Sequence, residues 1–285
     1  MASAVATGQL PGADGTAFTA TALAGGIILL GGLVFLAVRA LRNRRHLAPD
    51  RYRGPSIFLL LFIVLTAGNL LALPFVASSM LSPSGDVTAP LTDPFTLSVL
   101  LAVTPVIFTG VSIAFVVWPS ALSGLRLTDG RATARNLAIG LAAGVPTWVV
   151  STLVGGLVAL IYQAITGSPP EGDQAVLELI GQIPPPVAIV AVGVLAPIGE
   201  ELFFRGVAFN AWAREYGARR AIIGSALLFA AIHLVDGAWL AFAPILVVGL
   251  VLGIAYARTR SLPMTIGIHG SFNLISTALL LIGPQ

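Results

Sequence analysis

Residues 187–205 read Val-Ala-Ile-Val-Ala-Val-Gly-Val-Leu-Ala-Pro-Ile-Gly-Glu-Glu-Leu-Phe-Phe-Arg. The run is apolar until Glu200, Glu201 and Arg205 close it. About 20 mostly apolar residues suffice for a helix to cross a bilayer, so this stretch predicts a membrane span with ionisable groups at its end. Seven further runs carry the same signal, at about 18–38, 56–78, 96–118, 137–162, 221–235, 238–257 and 262–282. The expected fold is therefore all-α, a polytopic membrane helix bundle of about eight transmembrane helices. The run at 221–235 is short, and fits either a tilted partner of a longer helix or one extending back through 212–220. Composition agrees. Charged residues are 9% of the 285 and hydrophobic residues 56%, with mean hydropathy +0.95, whereas soluble domains carry roughly 25% charge. A soluble fold could not cover its surface with so few charges, and a disordered chain needs low hydrophobicity. The absence of cysteine excludes thiol catalysis and thiolate metal ligation.

All fifteen basic residues are arginine. They sort into alternate connections, Arg39–Arg53, Arg126–Arg135, Arg205–Arg220 and Arg258–Arg260, while the others hold Asp86, Asp93, Glu171, Asp173, Glu178 and Asp236. By the positive-inside rule the arginine loops are cytoplasmic and both termini extracytoplasmic. The chain is expected in the cell membrane as a multi-pass protein, with the bilayer rather than nucleic acid as the partner of its arginines. The first span is read as retained, since 1–17 carry only Asp14 as a charge and the apolar run is too long for a signal peptide. The expected organisation is an extracytoplasmic tail (1–17), helices one to four (18–162), an extracytoplasmic loop rich in proline (163–186) and a core of helices five to eight (187–282).

Inside the spans, the ionisable side chains Glu200, Glu201, His233 and His269 all fall in the last 100 residues. Each costs several kcal/mol at membrane depth, and a shared polar site explains them together. His46 lies in an arginine loop and reads as solvated. Neighbours on a helix point about 100° apart, so Glu200 and Glu201 are expected to face different ways. Arg205 follows Glu201 by four, the orientation that favours an ion pair. That assigns Glu201 and Arg205 to support and leaves Glu200 to face inward as a general base. Phe229 and His233 share a helix face at the same spacing, as do His269 and Asn273. Glu200 could take a proton from water, with His233 orienting that water or both holding a metal. His269 and Asn273 could donate to a developing oxyanion. Glu200, His233 and His269 would also serve as N/O ligands to a divalent ion such as zinc with an open position, so the cofactor is left unassigned. Gly249-Leu-Val-Leu-Gly253 reads as close helix packing, and 206–220, with Trp212 and three arginines, as interfacial.

Three motifs carry a resemblance. Glu200-Glu-Leu-Phe-Phe-Arg205 is similar to EExxxR, Phe229-Ala-Ala-Ile-His233 to FxxxH, and His269-Gly-Ser-Phe-Asn273 to HxxxN. In that order they resemble the CPBP intramembrane proteases, which include type II CAAX prenyl endopeptidases and bacteriocin-processing or immunity proteins. The resemblance covers about 187–282. It implies peptide-bond hydrolysis at the membrane, with Glu200 and His233 activating water and His269 and Asn273 stabilising the oxyanion. Arginine in place of lysine and abundant Ala, Gly, Val and Leu are consistent with a GC-rich bacterial genome. Bacteria generally lack protein prenylation, so the expected substrate is a membrane-associated protein or peptide and not a CAAX terminus. The competing readings are a proton-coupled transporter, against which the empty first half and missing repeat argue, and a non-catalytic membrane scaffold or immunity protein.

Overall fold

A computed structural model describes residues 57, 60–64, 66, 106, 109–110, 130–170, 183–234 and 239–282, all within one compact unit, Pro49–Gln285. The described residues are helical, with no strand among them. The spans read at 18–38, 56–78 and 96–118, and the tail before them, lie wholly or largely outside the described residues.

The first described helix, α1, is Gly130–Thr166. At 1.5 Å per residue its 37 residues reach about 55 Å, well beyond the roughly 30 Å hydrocarbon core. The sequence placed this span at 137–162. The helix is longer at both ends and takes in the start of the predicted outer loop. The second, α2, is Pro185–Tyr216, with Pro185 tolerated in the first turn because its missing N–H has no partner there. It is α-helical except for two π segments, Ala191–Leu195 and Leu202–Phe209. A break at Gly217, with φ +83°, separates it from α3, Ala218–Ile232. A 3-10 turn, Trp239–Ala241, leads into α4, Phe242–Thr259, and α5 is Leu262–Ile282.

Four of these, α1, α2, α4 and α5, are long and apolar enough to cross a membrane. Several such helices in one chain are the architecture of a multi-pass membrane protein. The 15 residues of α3 reach about 22 Å, short of a full crossing. It does not extend back through 212–220, because Gly217 takes a backbone conformation that ends one helix and starts another. Residues 206–216 continue α2 instead, and Trp212, read as interfacial, is buried against Gly224 of α3. Arg205, read as a loop charge, lies inside α2 and is wholly buried.

Backbone contacts join the helices in pairs. A Cβ on Gly267 of α5 would stand 2.6 Å from the Leu137 carbonyl oxygen of α1. On Gly249 of α4 it would stand 3.0 Å from Ala226 Cα of α3, and on Gly253 3.3 Å from Ile222. The close packing read from Gly249 and Gly253 is thus between α4 and α3. The core gathers Phe203, Phe204, Phe209, Phe229, Leu252, Tyr256 and Ile268. Ile57, Leu60, Leu61 and Val64 belong to the same cluster, and their spacing is one helix face. Leu153, Leu157, Leu160 and Ile165 of α1 remain exposed, as lipid-facing side chains do.

Candidate active site

Glu200 and Glu201 sit at the middle of α2, 15 residues after Pro185 and 15 or more before Tyr216. The window read as a span ended here because charge lowers hydropathy. The helix continues because the charge is paired. Arg205 Nη1 donates to Glu201 Oε1 at 2.7 Å, and both side chains are wholly buried. Arg205 Nη2 donates to the Gly249 carbonyl of α4 at 3.1 Å, which the missing Cβ of Gly249 helps to expose. The guanidinium lies 4.9 Å from the Phe229 ring centroid, within cation–π range.

His269, two turns into α5, stands between the carboxylates. Its Nδ1 is 3.1 Å from Glu201 Oε1 and its Nε2 is 3.9 Å from Glu200 Oε2. The expectation that neighbouring glutamates must serve different surroundings is corrected here. Both reach one imidazole, because that ring presents nitrogens on two edges and each glutamate has three rotatable bonds before its carboxylate. The 3.9 Å separation is too long for a hydrogen bond, and Glu200 Oε2 is buried with no hydrogen-bond partner. A buried carboxylate oxygen without a partner is costly and is placed to accept from a group that enters the site.

Phe229 links the two histidines. Its ring centroid is 5.2 Å from that of His233 and 5.4 Å from that of His269. His233 caps the C-terminus of α3. Its Nδ1 lies 2.8 Å from the Phe229 carbonyl oxygen. A carbonyl can only accept, so Nδ1 carries a proton and Nε2 of the neutral ring is a bare acceptor. Asn273, one turn after His269, donates through Nδ2 to the Val192 carbonyl at 2.8 Å, in the first π segment of α2. One amide hydrogen remains for another acceptor. Glu200 and Glu201 thus stand beside His269, His233 packs on the Phe229 ring that His269 also meets, and Asn273 bonds to Val192, about two turns before Glu200 on α2.

Asn210 was not singled out in the sequence. Its Nδ2 lies within hydrogen-bond distance of the Arg205 and Gly206 carbonyls, at 3.1 and 2.9 Å, and of Tyr256 Oη at 2.9 Å. These carbonyls lie in the second π segment, where the helical hydrogen-bond ladder changes register. Its polar amide four residues after Gly206, in an otherwise apolar turn, was the available signal. Among the described residues, no three His, Asp or Glu side chains are grouped so as to hold a metal ion.

Residues 182–275 match the Rce1-like family, described as type II CAAX prenyl endopeptidase Rce1-like. The match agrees with the CPBP resemblance carried by the three motifs and contains every residue of the site. At family level it stands for a CAAX-type intramembrane endopeptidase. No curated protein and no solved structure matches the chain.

Proposed function

We propose that this protein is an intramembrane endopeptidase in which Glu200 activates water. The observation that carries the reading is Glu200 Oε2, buried without a partner 3.9 Å from His269 Nε2, inside the segment that matches a family of endopeptidases. Glu200 accepts a proton from a water that the bare Nε2 of His233 orients. The water oxygen attacks the scissile carbonyl carbon, and the carbonyl oxygen takes up the negative charge. The free amide hydrogen of Asn273 and, when the ring carries both protons, Nε2–H of His269 donate to that oxyanion. Collapse of the tetrahedral intermediate breaks the C–N bond, and the proton held by Glu200 passes to the leaving amine. Glu201 and Arg205 serve as support.

The substrate is a membrane-associated protein or peptide. The site lies within the membrane boundary, seven residues or about 10 Å along α5 from Leu262. The arginines at 258 and 260 just before that helix support a cytoplasmic location for this end, with both termini of the chain outside, by the positive-inside rule. The test compares the membrane proteomes of cells carrying the wild type and Glu200→Ala, and assays both purified proteins on a quenched fluorescent peptide ending in a prenylated CAAX motif. Uncut membrane proteins accumulate with Glu200→Ala. Cleavage of the peptide would assign prenylated termini as substrates, and its failure alongside accumulated proteins would assign unprenylated ones. A purified Glu200→Ala protein that still cuts what the wild type cuts overturns the reading.

A further inference from the structure

Glu201 was expected to do no more than neutralise Arg205, yet Oε1 has two neighbours. It accepts from Arg205 Nη1 at 2.7 Å and faces His269 Nδ1 at 3.1 Å. An oxygen already accepting from a guanidinium acts as an acceptor toward the imidazole too, so Nδ1 of His269 donates. The opposite edge, Nε2, is thereby turned toward Glu200. Rotation of the ring about its Cβ–Cγ bond would break the Nδ1 bond and carry Nε2 away from the site. The bond is wholly enclosed, with Glu201 and Arg205 0% exposed and His269 3%, so water cannot replace the carboxylate as acceptor. Arg205 is in turn fixed by the Gly249 carbonyl. A chain of donors and acceptors thus runs from α4 through α2 to α5, and its last member is the imidazole edge beside Glu200.

We propose that Glu201 is a positioning residue for the reaction, holding Nδ1–H of His269 and with it the rotation of the ring, so that Nε2, once protonated, donates toward the reacting carbonyl. This rests on the endopeptidase reading for its purpose but not for its test. The groups facing His269 are Glu200 and Glu201 of α2, with Arg205 behind Glu201 and the Phe229 ring of α3 against the imidazole. Arg205 alone does not explain Glu201, because an ion pair that served only packing can be exchanged for apolar side chains of similar volume at little cost.

The chain has three histidines, so ring-15N-histidine-labelled protein in lipid nanodiscs gives a spectrum that His46→Gln and His233→Gln assign. At a pH well above the ordinary histidine value of about 6.5, wild-type His269 shows a protonated Nδ1 and a bare Nε2. Glu201→Gln keeps that pattern, since the amide oxygen still accepts. The double variant Glu201→Leu/Arg205→Met removes acceptor and counter-ion together, and His269 moves to the Nε2–H form or a mixture. On a quenched peptide spanning a cleavage site found in the proteome comparison of wild type with Glu200→Ala, kcat of the double variant falls about 100-fold with KM within about twofold. A wild-type spectrum with the proton on Nε2 overturns the proposal, as does a double variant that keeps Nδ1–H or retains full kcat. If the double variant fails to fold, the wild-type and Glu201→Gln spectra decide alone. Glu200→Gln separates the two readings, since it removes turnover without moving the His269 tautomer. Unchanged turnover in Glu200→Gln would sink the endopeptidase mechanism while the spectra still decided the positioning.

Discussion

Replacing Arg205 by methionine keeps a long unbranched side chain in place and deletes the guanidinium. Four interactions go with it: the 2.7 Å ion pair to Glu201, the 3.1 Å bond to the Gly249 carbonyl and the cation–π contacts with Phe204 and Phe229. The dominant cost is the Glu201 carboxylate left buried without its cation, about 3–5 kcal/mol for a broken buried pair. The hydrogen bond between helices adds about 0.6 kcal/mol, the average measured in a membrane protein. No discount for solvent screening applies, because both side chains are wholly buried. Arg205→Met is therefore expected to lose about 4 kcal/mol, roughly a thousandfold in the folding equilibrium. The double variant Glu201→Leu/Arg205→Met is expected to lose less than Arg205→Met alone, since no charge is stranded. The assay is equilibrium unfolding of purified protein in mixed micelles, followed by tryptophan fluorescence, with the four corners of the cycle measured together. An Arg205→Met loss under about 1 kcal/mol, or losses that simply add in the double variant, would refute the claim that burial makes this pair interdependent.

Asn273→Ala should reduce kcat about 100–1000-fold, the usual loss for one oxyanion donor, with KM little changed. It also frees the Val192 carbonyl, so a drop of about 0.6–1 kcal/mol in stability should accompany it in the same unfolding assay. Gly249→Leu should destabilise by about 3 kcal/mol or more, the upper range for overpacking, because its side chain meets Ala226 backbone, whereas Leu at Gly156, with nothing within 4 Å, should be neutral. The chain has no cysteine, so single cysteines at positions 2 and 284 report topology directly, and an impermeant thiol reagent should label both in intact cells.

Much of the site was written in spacing. Intervals of four put Arg205 beside Glu201, His233 beside Phe229 and Asn273 beside His269, since these are relations within one helix. The family match to 182–275 falls on the same residues. What stayed hidden depends on other helices. That His269 reaches both glutamates follows from where α5 crosses α2, which no local pattern encodes. The two π segments carry no compositional mark, and with them Asn210 was missed. The length of α2 was misread because hydropathy counts Arg205 as exposed charge, while the fold neutralises it with Glu201. The break at Gly217 was missed for a related reason: a single glycine between arginine-rich flanks gives no sign of the φ it adopts. The spans before α1 fall outside the described residues, apart from the few helical positions in 57–66 and 106–110.

The glycine contacts have a mechanical implication. α5 touches α1 backbone to backbone at Gly267, and α4 touches α3 the same way at Gly249. Neither pair can slide without driving backbone into backbone. His269 and Asn273 are carried by one pair and His233 by the other, and Phe229 is the shared neighbour of both imidazoles. The two pairs are tied to each other in turn, by Ser151 Oγ of α1 donating to the Pro244 carbonyl of α4 at 3.0 Å and by Arg205 bridging Glu201 to the Gly249 carbonyl. The histidines thus keep their spacing through a braced frame, and a bulky side chain at Gly249 or Gly267 would be felt at a centre it never touches.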